Sequence, residues 1–372
     1  MRKLLIVTPY YASHGGGVEM VACKLAEGLG KKGWKVTWIA SERCNAATES
    51  SGWIPQPVPS NNTVENRTGI PFPLWGLHAI RKLWTETAAA DVVMVHESLY
   101  VPSMYAVMAA WLRRRPVLLV QHIGAVPYKQ AFPRIVVNIG NRTWTRIVHL
   151  LSRRIVYIST RVMSYFEKDG IGKKSLLIPN GVDTDTFCER NLDHAHEKAL
   201  RPVILFVGRF VEKKGLDIVE LIARRRPDLD FVLAGHGPIL PALWNLPNVE
   251  AIGRLDAGEL VNQYHLASLL LLPSHGEGFP LVVQEAMATG LAPLVSDEIA
   301  SALPGIEEHI YHAPVDRNFP DLIEIWSTLI DHALVAEQGG YRRNRRANFA
   351  QMQWNWSRCI DSYDQSLQQL YK

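Results

Sequence analysis

The sequence predicts an α/β protein made of two doubly wound units, each built on a mainly parallel sheet. Apolar runs of strand length alternate with helix-length segments, which is the pattern of strands joined by crossover helices. The alternation stops at a polar, non-periodic stretch at 188–202 and then begins again. The chain has 372 residues, of which 47% are apolar and 20% charged, so it can form two cores. This composition excludes a disordered or disulfide-scaffold class.

The first half opens with a buried strand predicted at 3–8, followed by the glycine loop 15–17 and an amphipathic helix at about 18–29. Gly30 and Gly33 end that helix, and the next strand is predicted at 34–40. Residues 45–73 are rich in Asn, Ser, Thr and Pro and are interpreted as a long exposed loop. Further short strands are expected at 92–95, 117–120, 155–158 and 176–178.

The second half repeats this organisation after the predicted linker. Helices are expected after Gly215 and from Pro280, and the stretch 319–372 is expected to be mostly helical. The strands are predicted at 203–207, 231–234, 249–252, 269–272 and 293–296. The sequence therefore predicts two similar units in tandem, with no short-period repeat.

Charge is distributed unevenly between the halves. The net charge of +4 divides into +11 for residues 1–190 and −7 for residues 191–372. No acidic residue occurs between Glu97 and Glu167, a stretch that carries ten Arg or Lys residues. Such asymmetry indicates an anionic partner for the first half, either a membrane or a nucleic acid. Because the chain shows no nucleic-acid recognition motif, we expect an anionic membrane surface, contacted through residues 113–161.

Within this basic stretch, residues 132–154 interleave five arginines with Trp144 and several aliphatic residues. An amphipathic helix of this composition lies well on an anionic membrane surface. The alternative is an ordinary helix that packs its apolar stripe on the sheet and leaves its arginines in solvent.

The most informative segment, His275–Gly290, follows an apolar strand and opens a helix. Glu277 is expected in the loop before the helix, and Glu285 is expected inside the helix. The free N–H groups of the first helical turn and the helix dipole favour an anionic ligand at the start of this helix. Two such carboxylates suit the hydroxyl groups at the two ends of an extended ligand. The alternative interpretation is that both acids only stabilise the helix start.

A basic pair precedes this segment. Arg209 and Lys214 lie five residues apart, at the end of a predicted strand and in the following loop. The planar fork of Arg and the compact charge of Lys suit a diphosphate whose negative charge grows as it leaves. The alternative is a basic turn on the surface.

Taken together, these segments resemble glycosyltransferase family 4, whose members are retaining enzymes of the GT-B fold. Glu277 and Glu285 are similar to that family's E-x7-E motif, and Gly208–Gly215 resembles its diphosphate-binding G-R-x4-K-G. The segments Ile178–Asp183 and Leu233–Pro238 resemble the family's I-P-N-G-V-D turn and G-x-G-P loop. The motifs occur in the family's order and are densest in residues 176–298.

The resemblance implies two Rossmann-like domains facing across a cleft, with the final helix crossing back to the first domain. Residues 1–187, together with helix 355–372, would bind the acceptor, and residues 188–354 would bind the nucleotide-sugar. The implied catalytic residues are Glu277, His122, Arg209 and Lys214. The implied donor-binding residues are Gly16, Gly17, Arg209, Lys214, Gly278, Phe279, Leu281 and Glu285. For His122 and for the glycine loop the alternative is a purely structural role.

No metal or other cofactor is expected. Asp183-Thr184-Asp185 superficially resembles a metal-binding D-x-D but lies in the Asn-Gly-Val-Asp turn, and His194 and His196 have no carboxylate or Cys nearby in sequence. The cysteines are interpreted as reduced thiols because they are scattered and lack C-x-x-C spacing: Cys23, Cys44, Cys188 and Cys359. With no run of about 18 apolar residues and no signal-peptide pattern, the expected location is cytoplasmic, peripheral on the inner face of the plasma membrane.

The expected function is transfer of a hexose, with retention, from a UDP- or GDP-sugar to a membrane-associated glycan. In this family the departing diphosphate is thought to assist deprotonation of the acceptor, so no general base is assigned. Two alternatives stay open: a UDP-sugar epimerase on the same fold, and a non-catalytic protein that binds a sugar nucleotide or a lipid.

Overall fold

The structure, a computed structural model, describes residues 1–41, 52–68, 72–124, 140, 143–167, 175–189 and 201–371. The chain divides into two compact units. One comprises Met1–Gly181 with Trp356–Lys372, and the other comprises Val182–Asn355. The boundary predicted between residues 187 and 188 lies a few residues after the first unit ends. Most of the predicted linker, 190–200, lies outside the described residues.

Within the described part of the first unit, seven parallel strands form one sheet in the order β3-β2-β1-β6-β7-β8-β9. The strands β4 and β5, which lie between β3 and β6 in the chain, form a separate two-stranded antiparallel sheet. Leu4 to Val7 of the central strand are all buried, as expected for a parallel sheet covered on both faces. In chain order the strands are β1 (Arg2–Tyr10), β2 (Trp34–Ser41), β3 (Trp53–Val58), β4 (Ser60–Asn61), β5 (Leu74–Trp75), β6 (Val92–His96), β7 (Val117–Gln121), β8 (Arg154–Tyr157) and β9 (Ser175–Leu177).

The helices of this unit connect consecutive strands. Buried side chains of α3 and α4, among them Leu83 and Val107, join the core formed by Leu5, Val93 and Leu119 of the sheet. The helices are α1 (Gly17–Lys31), α2 (Thr63–Thr68), α3 (Leu77–Ala89), α4 (Val101–Leu112), α5 (Trp144–Leu151) and α6 (Thr160–Glu167).

The prediction of a long loop over 45–73 was wrong for the part that the structure describes. Trp53–Val58 forms the edge strand β3, which pairs in parallel with β2, and Thr63–Thr68 forms helix α2. Trp53 and Val58 are buried and anchor the strand. Pro55 and Pro57 make this strand look like a loop in the sequence. An edge strand can contain proline because its outer side forms no backbone hydrogen bonds to another strand. Residues 42–51 and 69–71 of the predicted loop lie outside the described residues.

In the second unit, the described residues form a six-stranded parallel sheet in the order β12-β11-β10-β13-β14-β15. Counted within the unit this is the order 3-2-1-4-5-6 of a Rossmann fold, whose ligands bind where the order reverses, here at the carboxyl ends of β10 and β13. The strands are β10 (Val203–Val207), β11 (Asp230–Ala234), β12 (Val249–Gly253), β13 (Leu269–Leu272), β14 (Ala292–Ser296) and β15 (Tyr311–Ala313). The last of them was not predicted from the sequence.

Helices again alternate with these strands, and the C-terminal region is helical, as predicted. In chain order the helices of the second unit are α7 (Leu216–Arg225), α8 (Ala257–Leu266), α9 (Leu281–Ala288), α10 (Asp297–Ala300), α11 (Leu322–Ala336) and α12 (Tyr341–Trp354). None of the helices in the described ranges is both long and apolar enough to span a bilayer.

The final helix, α13 (Trp356–Tyr371), belongs to the first unit. Asp364 accepts a hydrogen bond from the Trp34 indole N–H at 2.7 Å, and Asp361 pairs with Lys32 at 2.5 Å. Trp356 packs so closely on Gly181 that a Cβ there would lie 2.4 Å from the indole. The predicted return of the last helix to the first unit is therefore confirmed.

Candidate functional site

The turn after β10 brings the predicted basic residues to the carboxyl end of the second unit's sheet. Arg209 follows the strand and is exposed, and Lys213 and Lys214 lie on a short 3-10 helix, Glu212–Lys214. Gly215 ends this helix with a φ of +71°, and a Cβ at this position would lie 2.1 Å from the carbonyl oxygen of Pro273. Glycine is therefore required here, because both the left-handed backbone and the close approach exclude a side chain.

The loop that follows β13 lies against this turn. The N–H of His275 donates to the carbonyl oxygen of Lys213 at 2.9 Å, which joins the two loops through the backbone. The N–H of Gly276 donates to Oε2 of Glu298 at 2.8 Å, which fixes the loop from the other side. Glu277 is thereby held beside the lysines before any ligand binds.

Glu277 forms an ion pair with two lysines at once. Its Oε1 lies 3.3 Å from Nζ of Lys213 and 3.1 Å from Nζ of Lys214. Burial would raise the pKa of Glu277, but the two ammonium charges outweigh it and lower this pKa to about 2. The pKa of Lys214 is lowered, first by burial and then by the charges of Lys213 and Arg209, against the opposing effect of Glu277. Glu277 is therefore a carboxylate at neutral pH.

We call Arg209, Lys213, Lys214 and Glu277 the basic cluster. It holds three cationic side chains and one carboxylate, so it keeps an excess of positive charge at the switch point of the sheet. An anion such as a diphosphate is attracted to this charge, and the low exposure of Lys214 strengthens the interaction because little water screens it. The sequence prediction included three of these residues and missed Lys213, although the Lys-Lys pair next to Gly215 was a visible signal.

Glu285 is held by a different partner. It lies on α9, and its Oε2 accepts a hydrogen bond from the hydroxyl of Tyr264 on α8 at 2.9 Å. Burial raises the pKa of Glu285 to about 7, although this hydrogen bond opposes the shift. Tyr264 was not predicted as a site residue. A lone tyrosine on an amphipathic helix carries no signal of such a role in a sequence.

This raised pKa leads to a pH-dependent prediction. The family resemblance implies that Glu285 binds the ribose of the nucleotide. A carboxylate accepts two ribose hydroxyl hydrogens better than a carboxylic acid does, so nucleotide binding should favour the deprotonated form of Glu285. We expect the affinity for a nucleoside diphosphate, measured by calorimetry, to rise between pH 6 and pH 8 and then level off. The corresponding nucleoside should show the same rise, which separates Glu285 from titration of the phosphate. A Glu285→Gln variant with an unchanged pH profile would refute the assignment.

The three remaining donor-binding positions predicted in this unit flank the start of α9. Gly278 and Phe279 lie in the loop that precedes the helix, and Leu281 is its first residue. The first N–H groups of a helix have no partner within it and are available to a ligand. The ring of Phe279 is buried and packs against Trp354 at a centroid distance of 5.3 Å, so its side chain anchors the loop and only its backbone is suited to a ligand.

In the first unit, the glycine loop precedes α1. Gly16 is the N-cap of this helix and Gly17 its first residue. A Cβ on Gly16 would lie 2.1 Å from Oε2 of Glu19, a buried side chain, whereas a Cβ on Gly17 would meet nothing within 4 Å. A side chain at position 16 would therefore displace the Glu19 carboxylate, whereas position 17 has room for one.

His122 follows β7 and is buried, with one ring nitrogen bonded to a second histidine. Its Nε2 lies 3.0 Å from Nδ1 of His96, at the end of β6, and the two rings stack at a centroid distance of 5.2 Å. Burial lowers the pKa of His122 to about 3 and that of His96 well below its usual value. Both rings are therefore neutral. Sequence reasoning identified His122 but not His96.

Glu97 holds the backbone of this region. Its Oε1 accepts the N–H groups of His122 and Ile123 at 2.6 and 2.7 Å, and its Oε2 accepts the Gln121 amide at 2.8 Å. It is buried and adopts a φ of +65°, which is uncommon for a residue with a side chain. Burial raises the pKa of Glu97 to about 8 against these hydrogen bonds, with a further increase from the charge of Glu19.

The structure thus brings together Arg209, Lys214 and Glu277, with Lys213 added, and gives Glu285 a separate partner in the same unit. Gly16, Gly17 and His122 lie in the first unit, at the carboxyl end of its sheet. Glu19 lies close to both Gly16 and the His122 region. Its carboxylate is next to Gly16, and its negative charge raises the pKa of Glu97, which binds the backbone N–H of His122.

The predicted absence of a metal or other cofactor stays a prediction. In the part of the chain that the structure describes, no group of three potential metal ligands occurs. Asp183 accepts a hydrogen bond from the N–H of Thr186 at 3.3 Å, as a turn residue does. His194, His196 and Cys44 lie outside the described residues, and Cys23, Cys188 and Cys359 are free thiols.

Comparison with known families places these sites in context. Residues 15–186 match the model of Glycosyltransferase Family 4, and residues 201–321 match that of Glycosyl transferases group 1. Phosphatidyl-myo-inositol mannosyltransferase of Mycobacterium tuberculosis is 26% identical over 375 residues, covering 95% of this chain and 93% of that protein. D-rhamnosyltransferase WbpZ of Pseudomonas aeruginosa is 27% identical over 328 residues, covering 83% and 81%.

Solved structures show the same fold at low identity. Sucrose-phosphate synthase from Thermosynechococcus elongatus superposes with a TM-score of 0.75 at 17% identity and covers 100% of this chain and 99% of its own. Anabaena HepE in complex with UDP-glucose superposes with a TM-score of 0.73 at 15% identity, covering 99% and 100%.

Proposed function

Because the chain belongs to glycosyltransferase family 4 and has the GT-B fold, we propose that it transfers a hexose from a UDP- or GDP-sugar to a membrane-associated glycan. The acceptor in this proposal is of the lipid-linked oligosaccharide or lipopolysaccharide type. The transfer retains the anomeric configuration of the sugar. In this proposal the second unit binds the nucleotide-sugar and the first unit binds the acceptor. The reaction needs no metal.

The observation that carries the proposal is the basic cluster. The bond that breaks joins the sugar to a diphosphate, so negative charge grows on the leaving group. Lys214 and Arg209 stabilise this charge, and Lys214 does so with little exposure to water. Glu277, fixed by two ammonium groups in its ionised form, accepts hydrogen bonds from sugar hydroxyls. The basic cluster also suits a donor without a metal, because it supplies the charge that a divalent cation would otherwise provide.

The comparisons support a sugar-nucleotide donor. HepE was solved with UDP-glucose, and the names of the two relatives describe a mannosyltransferase and a rhamnosyltransferase. For the epimerase alternative, no acid or histidine can be assigned to the sugar C2 among the described site residues. The basic cluster with Glu285 supports an enzyme over a protein that only binds, since it can also stabilise the additional negative charge that the diphosphate gains during bond cleavage.

A panel of labelled donors tests the proposal. The protein is incubated with UDP-glucose, UDP-galactose, UDP-GlcNAc and GDP-mannose, in the presence of EDTA and with an acceptor lipid extract. Transfer or slow hydrolysis of one donor supports the proposal, and NMR of the product gives its anomeric configuration. Conversion of the donor sugar into an epimer supports the first alternative, and binding without turnover supports the second. Loss of turnover in EDTA would refute the metal-free mechanism.

The membrane part of the proposal rests on the outer faces of α4 and α5, which contact each other. Val148 and His149 of α5 are buried, so this helix already packs an inner face on the unit. Its opposite face is nevertheless apolar too, as is the end of α4. The exposed apolar side chains are Met108, Trp111, Leu112, Trp144, Ile147 and Leu150, and the exposed arginines around them are Arg113, Arg114, Arg146 and Arg153.

We call these ten residues the α4–α5 surface. Its composition favours membrane contact over the alternative of an ordinary helix, because packing on the sheet accounts only for the buried stripe of α5. Aromatic and aliphatic side chains surrounded by arginine, with no acid between Glu97 and Glu167, suit an interface that is apolar below and anionic above. Lys129, Arg134 and Arg142 of the predicted basic stretch lie outside the described residues.

Vesicle flotation tests this surface. We expect the protein to float with vesicles containing phosphatidylglycerol and to stay unbound with neutral phosphatidylcholine vesicles. A double variant, Ile147→Glu and Leu150→Glu, should lose most of this binding. Leu240→Glu, a change at an equally exposed leucine of the second unit, should bind as the unmodified protein does. Equal recovery with neutral and anionic vesicles would refute the surface.

A further inference from the structure

The buried histidines His96 and His122 share one hydrogen bond, in which one nitrogen of each ring takes part and the other nitrogen does not. The bond joins Nδ1 of His96 to Nε2 of His122 at 3.0 Å. The other nitrogen of His96, Nε2, is fully buried and has no hydrogen-bond partner in the described ranges. Both rings are neutral, so each carries one proton, and the question is which nitrogen of each ring carries it.

Only one of the two arrangements avoids an unpaired buried donor. If His122 donated from Nε2, His96 would carry its proton on Nε2, where no acceptor exists among the described residues. Buried N–H groups without an acceptor are rare and costly, whereas an unpaired acceptor is tolerated better. The favoured arrangement places the His96 proton on Nδ1, from which it donates to His122. The proton of His122 then lies on its Nδ1.

We infer that His96 is a positioning residue that donates to Nε2 of His122 and so fixes His122 as the Nδ1–H tautomer, which offers a single hydrogen-bond donor to an oxygen atom of the bound sugar. Glu97 completes this arrangement, because it binds the backbone N–H of His122 and prevents the residue from shifting. Orientation of a functional histidine through its second nitrogen is a known device in protein sites.

The inference deepens the proposed function and rests on it for the identity of the ligand. Nδ1 of His122 presents an N–H, so it binds a hydroxyl or ether oxygen and cannot take a proton from an acceptor. His122 therefore contributes to recognition of the sugar and not to base catalysis. A sugar that lacks the hydroxyl group facing this nitrogen should bind with lower affinity, since its hydrogen bond with the Nδ1–H of His122 would be lost.

The tautomer can be measured without any substrate. Protein labelled with [15N]-histidine gives long-range 1H–15N spectra in which protonated and unprotonated ring nitrogens differ in shift, and the His122→Gln spectrum assigns the signals. We expect a protonated Nδ1 and an unprotonated Nε2 for His122 at pH 7. A His122 signal with protonated Nε2, or with both nitrogens protonated, would overturn the inference. Because the measurement needs no sugar-nucleotide substrate, its result is independent of whether the proposed transfer reaction occurs.

Two substitutions at His96 separate positioning from packing. In His96→Asn the side-chain amide N–H replaces the Nδ1–H as the hydrogen-bond donor to His122. In His96→Leu this hydrogen-bond donor is lost, while the leucine side chain still fills the space of the imidazole ring. We expect His122 to keep its tautomer in the Asn variant and to lose it in the Leu variant. We also expect kcat/KM for the donor to fall about tenfold to a hundredfold in the Leu variant and to recover in the Asn variant. Equal spectra and equal activities in the two variants would show that His96 only fills space.

Discussion

Lys214→Met is expected to lower kcat by about a hundredfold to a thousandfold, the usual effect of removing one group that stabilises charge in the transition state. Lys214 is the less exposed of the two lysines that contact Glu277, so its ammonium interacts with the leaving diphosphate with little screening. Methionine keeps the apolar stem that lies over Gly208 and removes only the charge. The measurement is kcat and KM with the donor identified by the panel.

Controls make this result specific to the reacting charge. Arg342→Met removes an exposed cation of the second unit and should leave kcat unchanged. Lys213→Met should have a smaller effect than Lys214→Met, about tenfold, because Lys213 is more exposed. A Lys214→Met enzyme with the unmodified kcat, or with a change confined to KM, would show that the lysine does not stabilise the leaving group.

Glu97→Ala is expected to destabilise the first unit by about 3 kcal/mol or more. Three donors lose their acceptor, namely the N–H groups of His122 and Ile123 and the amide of Gln121. Each unpaired buried donor costs about 1–3 kcal/mol. Hydrogen exchange of peptides from β6 and β7 measures the loss, and peptides from β10 and β13 of the second unit provide an internal reference. Glu86→Ala, which removes only a surface ion pair with Lys82, should change exchange by about 0.5 kcal/mol or less.

The raised pKa of Glu97 adds a pH dependence to this prediction. Folding raises this pKa from the usual 4.5 to about 8, so the folded unit holds a proton that the unfolded chain releases. The contribution of this group to stability is therefore complete below pH 4.5 and declines as the pH rises to 8. The Glu97→Ala variant should lack this decline. An unchanged exchange rate in the variant at pH 5 would contradict the proposed role of Glu97.

The strands that the sequence analysis predicted lie within one or two residues of the observed ones, because parallel strands covered on both faces appear as short, continuous apolar runs. Arg209, Lys214, Glu277 and Glu285 were predictable for a related reason. In an α/β unit the residues just after a strand or at the start of a helix lie at the ligand-binding edge of the sheet, and their types indicated a diphosphate and hydroxyl groups. The edge strand Trp53–Val58 was missed because its two prolines and polar residues imitate a loop.

The amino-acid sequence by itself determined most of the strands and helices and which of the predicted site residues lie at the edge of each sheet, because these follow from local periodicity and chain order. Only the tertiary structure decided which side chains meet there. The pairing of Glu277 with Lys213 as well as Lys214, of Glu285 with Tyr264 and of His96 with His122 joins neighbouring loops, strands or helices. Burial then changes the charge states of these groups, and burial depends on how distant segments pack, which no local pattern records.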